Sequence, residues 1–356
     1  MESKRMKISS ASDVSIFESA WKMLEKGTDM TAFQTFDWNK LLLEEFFSSK
    51  SNTRFADIYL YSIQDGAKVI LLAPIIVQKI GMRLLYGGRK KGIYLLGQNS
   101  YSDYLNFIYS EFSELAIEQI FTILKRDFKK STIFIDFLRS DTCLNHYLSK
   151  TGKAPNKSSF AVYVDIMSSV EDFNKSLSKS VRQNLRTASN RMQKNNIDYK
   201  LEVFSRLQDH DLVIQLEKIY QERATEKNNK HNLDFKHFLF RKIRYLQKKQ
   251  FTRTYNIITQ SMLQMENSIL IVVYLNNDIA GYVYGIRDNN TIRVMQNCFN
   301  SQYKFYSPMF KGVYDFISDE CTNHKLSISQ IDFTRGEEDY KYKLGGKKIE
   351  LVHYTI

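Results

Sequence analysis

One short pattern occurs twice in this chain, and it constrains the fold more than any other feature of the sequence. Residues 135–139 read IDFLR, and residues 331–335 read IDFTR. An amphipathic helical pattern precedes each copy, and the pattern of an apolar hairpin precedes each helix. Because the elements recur in the same order, the sequence predicts two copies of one α/β unit in tandem.

Two domains are therefore expected, one over residues 1–155 and one over residues 156–356. Each is predicted to be an α/β (α+β) domain in which a mixed, twisted sheet is flanked by helices. The chain has 356 residues, of which 43% are hydrophobic, and this is enough to bury a core in each domain. Residues 152–159 read GKAPNKSS, which is typical of a connecting loop. A helix is expected from Ser169, with apolar residues recurring as far as Leu185, and a polar break is expected at 224–232.

The second copy continues differently from the first. Ser307 is a favoured N-cap and Pro308 a favoured first helical residue, so a helix is predicted to begin there. The free amides at such a helix end attract anions, phosphates above all. A strand is predicted at 328–333, and a polar, aromatic run follows at 335–342. Ligands bind beyond the carboxyl ends of strands in open α/β sheets, so this run is the predicted site.

These features together resemble a known protein family. The Ser-Pro helix start, the strand and the run DFTRGEEDYKYKLGG are similar to the tail of the CelD-type branch of the GNAT acyltransferases. Three more stretches fit that branch: FQTFDW at 33–38, SDYL at 102–105, and the basic helix SKSVRQNLRTASNRMQK at 178–194. The branch is also related to the Fem-type peptidoglycan aminoacyl ligases. The glycine-rich Q/R-x-x-G-x-G/A loop of ordinary GNAT enzymes is replaced here by the sequence KFYSP at 304–308.

The resemblance implies tandem GNAT-like domains that transfer an acetyl or other acyl group from acyl-CoA to an amine. The acceptor would be a sugar or a cell-envelope precursor, which suggests polysaccharide biosynthesis. The second domain would carry the acyl-CoA site, while the first would shape the acceptor surface. The predicted cofactor-binding residues are Tyr306, Ser307, Met309, Phe310, Lys311 and Lys341.

Transfer of this kind needs a base for the amine proton and an acid for the leaving thiolate. Asp332 and Glu338 are the alternative candidates for the base, and Tyr340 is the candidate acid. For Trp38 the alternative role is core packing, and for Asp103 it is capping of a turn. The candidate acceptor-binding residues are Gln34, Trp38, Asp103 and Arg335.

The positive charge of the chain is localised. The formal net charge is +12, and two segments carry the excess: 175–194 has six basic residues, 236–253 has seven, and neither has an acidic one. Localised positive charge suggests a polyanionic or phosphate-bearing partner, such as coenzyme A, a tRNA, an anionic glycan or an anionic lipid surface. The alternative is a pair of solvated helix faces.

Two other functions remain open at this stage. A Fem-like ligase would take an aminoacyl group from tRNA, and the basic segments favour it. A degenerate acyltransferase could instead serve as a non-catalytic binding module in polysaccharide assembly.

Several classes of protein are disfavoured. The first residues, MESKRMKISS, lack the apolar core of a signal peptide, and no apolar run approaches the ~20 residues of a membrane helix. Three scattered cysteines and six histidines show neither a disulfide framework nor metal-ligand spacing. A cytoplasmic protein without a metal is therefore expected.

Overall fold

A computed structural model describes residues 1–48, 50–78, 92–98, 102–230 and 257–356. Within these ranges the chain forms two compact units. The first contains residues 1–159 and 350–356, and the second contains residues 160–230 and 258–349. The sequence predicts a strand at 83–86 and a basic helix at 235–250, and both lie outside the described residues, as does the basic segment at 236–253.

The strands are numbered along the chain. Those of the first unit are β1 (Glu2–Ile8), β2 (Ala56–Asp65), β3 (Lys68–Gln78), β4 (Gly92–Leu95) and β5 (Thr132–Arg139). Those of the second unit are β6 (Lys157–Asp165), β7 (Tyr199–Ser205), β8 (Ser268–Leu275), β9 (Asp278–Asp288), β10 (Thr291–Phe299) and β11 (Gln330–Arg335). Strand β12 (Lys347–Thr355) follows, and from Glu350 onward it belongs to the first unit.

The helices of the first unit are α1 (Glu18–Leu24), α2 (Phe36–Ser48), α3 (Lys50–Phe55), α4 (Glu114–Asp127) and α5 (Cys143–Lys150). Those of the second unit are α6 (Val170–Ser176), α7 (Lys179–Lys194), α8 (His210–Lys230), α9 (Pro308–Asn323) and α10 (Asp339–Lys343). Residues 257–264 are also helical. Short 3₁₀ helices occupy Ala11–Phe17, Ala32–Gln34 and Ser301–Tyr306.

The two units share one strand order. In the first unit the order is β1-β2-β3-β4-β5-β12, and in the second it is β7-β8-β9-β10-β11-β6. Each sheet is an antiparallel meander with one parallel pair, which is β4 with β5 in one unit and β10 with β11 in the other. An antiparallel strand then lies beside β5 or β11. The repeated motif falls on β5 and β11, so the prediction of tandem α/β units is confirmed.

Three predicted boundaries were wrong for local reasons. Strand β11 begins at Gln330 rather than 328, because the buried Glu320 carboxylate accepts hydrogen bonds from the amides of Leu326 and Ile328 and holds those residues in a turn. The helix expected from Ser169 is two helices, because Leu177 is extended and Ser178 caps α7 by accepting from the amide of Val181. The polar break does not occur before Lys230, where α8 ends.

Helix α9 packs against the sheet of the second unit through the apolar face that the sequence predicts. Val313, Phe316 and Ile317 are buried there with β11 residues Ile331 and Phe333. Glycine is needed at position 312, where a side-chain carbon would overlap Val273 of β8. This close approach fixes where the N-terminus of α9 lies relative to the ends of the strands.

Candidate functional site

A cavity of ≈ 310 Å³ lies in the second unit, between α7, the start of α9 and α10. Its wall combines apolar side chains with cations, hydroxyl groups and an amide, and α7 contributes residues of each kind. The lining residues are Val181, Asn184, Leu185, Thr187, Ala188, Arg191, Ser307, Phe310, Lys311, Tyr340 and Lys343. Four of the residues proposed from sequence therefore meet at one cavity, namely Ser307, Phe310, Lys311 and Tyr340.

The start of α9 differs from an ordinary serine cap. Helix α9 begins at Pro308 as predicted, but Ser307 adopts a left-handed conformation with φ 51° and its side chain makes no capping hydrogen bond. The Ser307 carbonyl accepts the amide of Lys311 at 3.0 Å, which closes the first turn. Because the serine hydroxyl does not cap the helix, the amides of Met309 and Phe310 are not occupied by it, and the helix end keeps its attraction for an anion.

Lys311 is held by neighbouring groups. Its Nζ lies 2.9 and 2.8 Å from the two carboxylate oxygens of Asp315, and 5.0 Å from the ring centre of Tyr199. The Tyr199 hydroxyl donates to Asp315 as well. Burial, followed by the charge of Asp315, raises the pKa of Tyr199 and keeps its proton in place. Lys311 therefore contributes a fixed positive charge at the cavity wall.

Tyr340 is the predicted acid, and its hydroxyl has a defined partner. The side-chain amide of Asn297 donates to the Tyr340 hydroxyl oxygen at 3.0 Å, while the ring packs edge-on against Phe333. Burial is the main cause that raises the pKa of Tyr340, and the charge of Glu338 adds to it. The hydroxyl is thus protonated at neutral pH, and its proton is not used in the bond to Asn297.

Lys341 does not face the cavity, so the structure corrects its predicted role at the phosphates. Its side chain is 2% exposed, and Nζ donates to four consecutive carbonyls, those of residues 333, 334, 335 and 336, at 3.0, 3.4, 2.9 and 3.1 Å. Glu338 lies 2.8 Å from the same nitrogen. The ammonium group is bound by the carbonyls of the turn between β11 and α10. It stabilises the conformation of that turn.

Asp332 is enclosed in the same way. It is 2% exposed, pairs with Arg293 and accepts the amide of Thr334 at 2.7 Å. Arg293 also pairs with Asp288 at 2.8 Å. The backbone at Thr334 has a positive φ of 56°, and the aspartate stabilises that kink. A direct encounter between Asp332 and an incoming amine would require this network to open.

The other predicted residues of this region are not among those that line the cavity. Glu338 is 58% exposed, and it is the N-terminal cap of α10. Arg335 is half-buried at the end of β11. The Tyr306 hydroxyl accepts from the side-chain amide of Asn195 at 2.8 Å, and Met309 packs on the core.

The predicted acceptor-binding residues of the first unit are all buried. Gln34 accepts hydrogen bonds from Thr31 and donates to the carbonyl of Tyr104 at 3.0 Å. Trp38 is fully buried, and its indole nitrogen donates to the Ser102 hydroxyl at 2.8 Å. Asp103 is 7% exposed. These contacts organise the fold around FQTFDW and SDYL, and none of these residues lines the cavity of the second unit.

Sequence reasoning missed several residues of the site. Asn184, Thr187 and Arg191 line the cavity from α7, Lys343 lines it from α10, and Asn297 holds Tyr340. The α7 residues recur at spacings of three and four, so they share one helical face, which is a signal that the sequence did contain. In the described part of the chain, no group of three or more His, Cys, Asp or Glu side chains is arranged to hold a metal, and no helix is both long and apolar enough to span a bilayer.

One family model matches the second half of the chain. Residues 179–342 match the sequence model of a family described as an acetyltransferase (GNAT) domain. This match covers a little under half of the chain, and it includes α7, the start of α9 and Tyr340. The assignment to the CelD-type branch stays a prediction. No curated protein matches the chain.

Solved structures resemble the whole chain. L-PGS from Bacillus licheniformis aligns with a TM-score of 0.56 and 10% identity, over 98% of this chain and 93% of that one. A conserved protein of unknown function from Bacteroides thetaiotaomicron VPI-5482 aligns with a TM-score of 0.54 and 12% identity, over 96% and 97%. FemX aligns with a TM-score of 0.50 and 11% identity, over 98% and 96%. At these identities the likeness concerns the fold alone, which here is two α/β units of one strand order in tandem.

Proposed function

We propose that this protein is an N-acyltransferase that moves an acetyl or other acyl group from acyl-CoA to an amine. One observation carries the proposal: the anion-attracting start of α9, the ammonium group of Lys311 in its pair with Asp315 and the protonated hydroxyl of Tyr340 meet at one cavity. Acyl-CoA carries a diphosphate and a thioester on one molecule, so a site that binds it needs an anion-binding group and a proton donor at the same cavity. The match of residues 179–342 to an acetyltransferase domain supports the same reading.

The reaction follows from these groups without a covalent enzyme intermediate. The amine nitrogen attacks the thioester carbonyl, so that an N–C bond forms and the C–S bond breaks. One proton leaves the amine for a carboxylate, and one proton passes from Tyr340 to the thiolate sulfur. Positioned acid and base groups of this kind each contribute typically ~10²–10⁴-fold to a rate.

Glu338 is the better of the two carboxylates proposed as the base. Its side chain is 58% exposed, whereas Asp332 is enclosed by Arg293 and the Thr334 amide. Glu338 is the N-terminal cap of α10 and Tyr340 lies in its first turn, so the two groups are neighbours in the chain. Asp332 then serves to hold the turn.

The acceptor is proposed from the family resemblance. The resemblance to the CelD-type branch suggests an amine on a sugar or on a cell-envelope precursor, and acetyl-CoA is the simplest donor. The domain at residues 156–356 would carry the donor site, and a cytoplasmic location would supply the donor.

The deciding experiment is a thermal-shift and turnover assay. Acetyl-CoA and CoA should each raise the melting temperature of the purified protein, because a ligand that binds only the folded state stabilises it. Incubation with amino-sugar acceptors should release free thiol, detected with a thiol reagent. If neither molecule shifts the melting temperature at millimolar concentration, the acyl-CoA proposal is wrong.

A Fem-like ligase is the alternative, and the surface of α7 favours it. This helix exposes Lys179, Arg186, Arg191 and Lys194 and has no acidic residue. A thermal shift with aminoacyl-tRNA but not with acetyl-CoA would select the ligase. A non-catalytic module would instead bind neither donor.

A further inference from the structure

Strand β7 is the edge strand of the second unit, and one side of its backbone is open. It pairs with β8 regularly along its whole length of seven residues, and no described strand lies on its other side. Edges of this kind are usually short, bulged or covered, because an open edge pairs with other chains. Strand β7 is none of these within the described part of the chain, so its outer edge is a surface that another strand can join.

The hydrogen bonds to β8 show which residues of β7 point outward. In an antiparallel pair, successive residues point their backbone groups alternately toward the partner strand and away from it. The Asp198 carbonyl accepts the amide of Asn276 at 2.9 Å, and the Arg206 amide donates to the carbonyl of Ser268 at 3.1 Å. Even-numbered residues therefore face β8. The outward N–H and C=O groups belong to the odd-numbered residues 199, 201, 203 and 205.

Helix α9 holds this edge in place. The Tyr199 hydroxyl donates to Asp315 of α9, and Leu201 packs against the core that α9 covers. Both side chains lie on the same face of the sheet, since they are two residues apart in a strand. The edge is thus fixed by the second unit itself, and a strand that joins it does not have to order it first.

The exposed side chains of β7 carry opposite charges. Lys200 and Glu202 lie together on the face away from α9, with side chains 60% and 32% exposed. Val203 lies on the α9 face and is 39% exposed, which places it among the few large apolar side chains that are exposed in the described chain. A partner strand must therefore offer an acid opposite Lys200, a base opposite Glu202 and an apolar group opposite Val203.

The sequence of β7 itself meets these requirements. We infer that β7 pairs antiparallel with β7 of a second molecule of this chain, around a two-fold axis beside Leu201. Leu201 then faces Leu201, and Tyr199 faces Val203 of the other molecule, which is a favourable pair of an aromatic with a β-branched residue. All of these are outward-pointing residues, so the pairing forms about six backbone hydrogen bonds. This inference is independent of the proposed acyl transfer.

Charge selects this register over its neighbours. With the axis beside Leu201, Lys200 of each molecule lies opposite Glu202 of the other. A slide of two residues in one direction would place Lys200 opposite Lys200, and a slide in the other direction would place Glu202 opposite Glu202. Like charges directly opposite each other destabilise a sheet. A slide of one residue would set inward-pointing backbone groups against outward-pointing ones and lose the hydrogen bonds.

Sedimentation velocity of the purified protein over a range of concentrations tests the association. One short strand pair buries less than the ~1,200 Å² of a standard interface, so we expect a reversible dimer whose fraction rises with concentration. A single monomer mass up to the highest soluble concentration would overturn the inference.

Charge reversal tests the partner and the register together. Lys200→Glu and Glu202→Lys should each raise the dissociation constant of the dimer roughly tenfold, because each opposes like charges at two positions. An equimolar mixture of the two variants should restore the dimer, since every reversed charge then meets its opposite. Lys194→Glu makes the same change of charge on α7 and should leave the dimer intact. A mixture that associates no better than either variant alone would exclude this register.

Proline at position 203 tests the backbone pairing. Val203→Pro removes an amide that points outward and leaves the hydrogen bonds to β8 in place, so it should abolish the dimer without unfolding the edge. Val203→Thr keeps the amide and the branched side chain, and it should dimerise like the wild type. Circular dichroism melts check that both variants are folded. If folded Val203→Pro dimerises as well as Val203→Thr, the molecules associate through another surface and the inference is wrong.

Discussion

The side-chain amide of Asn297 lies 3.0 Å from the hydroxyl oxygen of Tyr340 and donates to it. This direction matters because the tyrosine proton is left available for another acceptor. Asn297 comes from β10 and Tyr340 from α10, so two separate elements define one hydroxyl position. The bond gives the proposed acid an orientation before any substrate arrives.

Replacing Tyr340 by phenylalanine is expected to lower turnover by about 10²–10⁴-fold, because the thiolate loses its proton donor. The dissociation constant of acetyl-CoA should change little, since the ring is kept. Steady-state kinetics and calorimetry measure both. Tyr342→Phe is the matched control, because the Tyr342 hydroxyl donates to Glu337 and does not line the cavity. Normal turnover in Tyr340→Phe would remove the assignment.

Replacing Asn297 by alanine should lower kcat about tenfold with little change in KM, because the hydroxyl loses its orientation and keeps its proton. The pH–rate profile separates this from a structural defect. Burial and the charge of Glu338 raise the pKa of Tyr340. Ionisation of this tyrosine should therefore not lower the wild-type rate at any pH below ~10, which is the ordinary pKa of tyrosine. A variant with an unchanged kcat would contradict the positioning role.

Lys341→Met should destabilise the protein by about 3 kcal/mol, because the buried carbonyl of residue 333 and the part-buried carbonyls of residues 334–336 would lose the ammonium group whose three N–H bonds they share. Lys343→Met, two residues away and exposed, should change stability by no more than about 0.5 kcal/mol. Urea midpoints of the two variants provide the comparison. Similar midpoints would show that the turn is held by other contacts.

The stability of the first unit should depend on pH through Asp127. Burial pushes the pKa of Asp127 up, but hydrogen bonds from Tyr61 and Arg126 outweigh it and leave the pKa below its usual value. The carboxylate therefore stabilises the folded state above the unfolded pKa of ~3.9, and this contribution is lost as pH falls through the lower folded pKa.

Tyr61→Phe should consequently cost about 1 kcal/mol at pH 7, and the difference from wild type should shrink toward pH 2. Tyr59→Phe is the control, because its hydroxyl has no hydrogen-bond partner among the residues described. Thermal melts from pH 7 to pH 2 measure the effect. A difference that grows on acidification would have the wrong sign and would exclude the assignment.

The fold was accessible from the sequence because its signals are local and repeated. Alternating apolar residues mark the hairpins, and the turn at Asn276 and Asn277 has the positive φ angles that asparagine tolerates, 51° and 69°. The Ser-Pro start of α9 was equally readable. The order of the elements and the periodicity of their apolar residues were enough to predict two units, because the pattern of each element lies within one short segment of the chain.

The chemistry of individual side chains was less accessible, because their partners are distant in sequence. Nothing near Asp332 indicates that Arg293 would enclose it, and only the folded turn shows that Lys341 faces four carbonyls. Arg191 reaches the cavity through packing of α7 beside the segment before α9. A cluster of charged residues in the sequence thus predicts where a site lies. It does not predict which of those charged side chains are already paired within the protein and which can bind a ligand.

Strand β12 has a consequence for the order in which the chain is assembled. It lies beside β5, yet the whole second unit is encoded between them. The ribosome therefore synthesises the second unit before β12, which is the last strand of the first unit. Until β12 is made, the edge of β5 that pairs with it stays unpaired. Such open edges invite pairing with other chains, so the first unit is vulnerable to misassembly until β12 has been made.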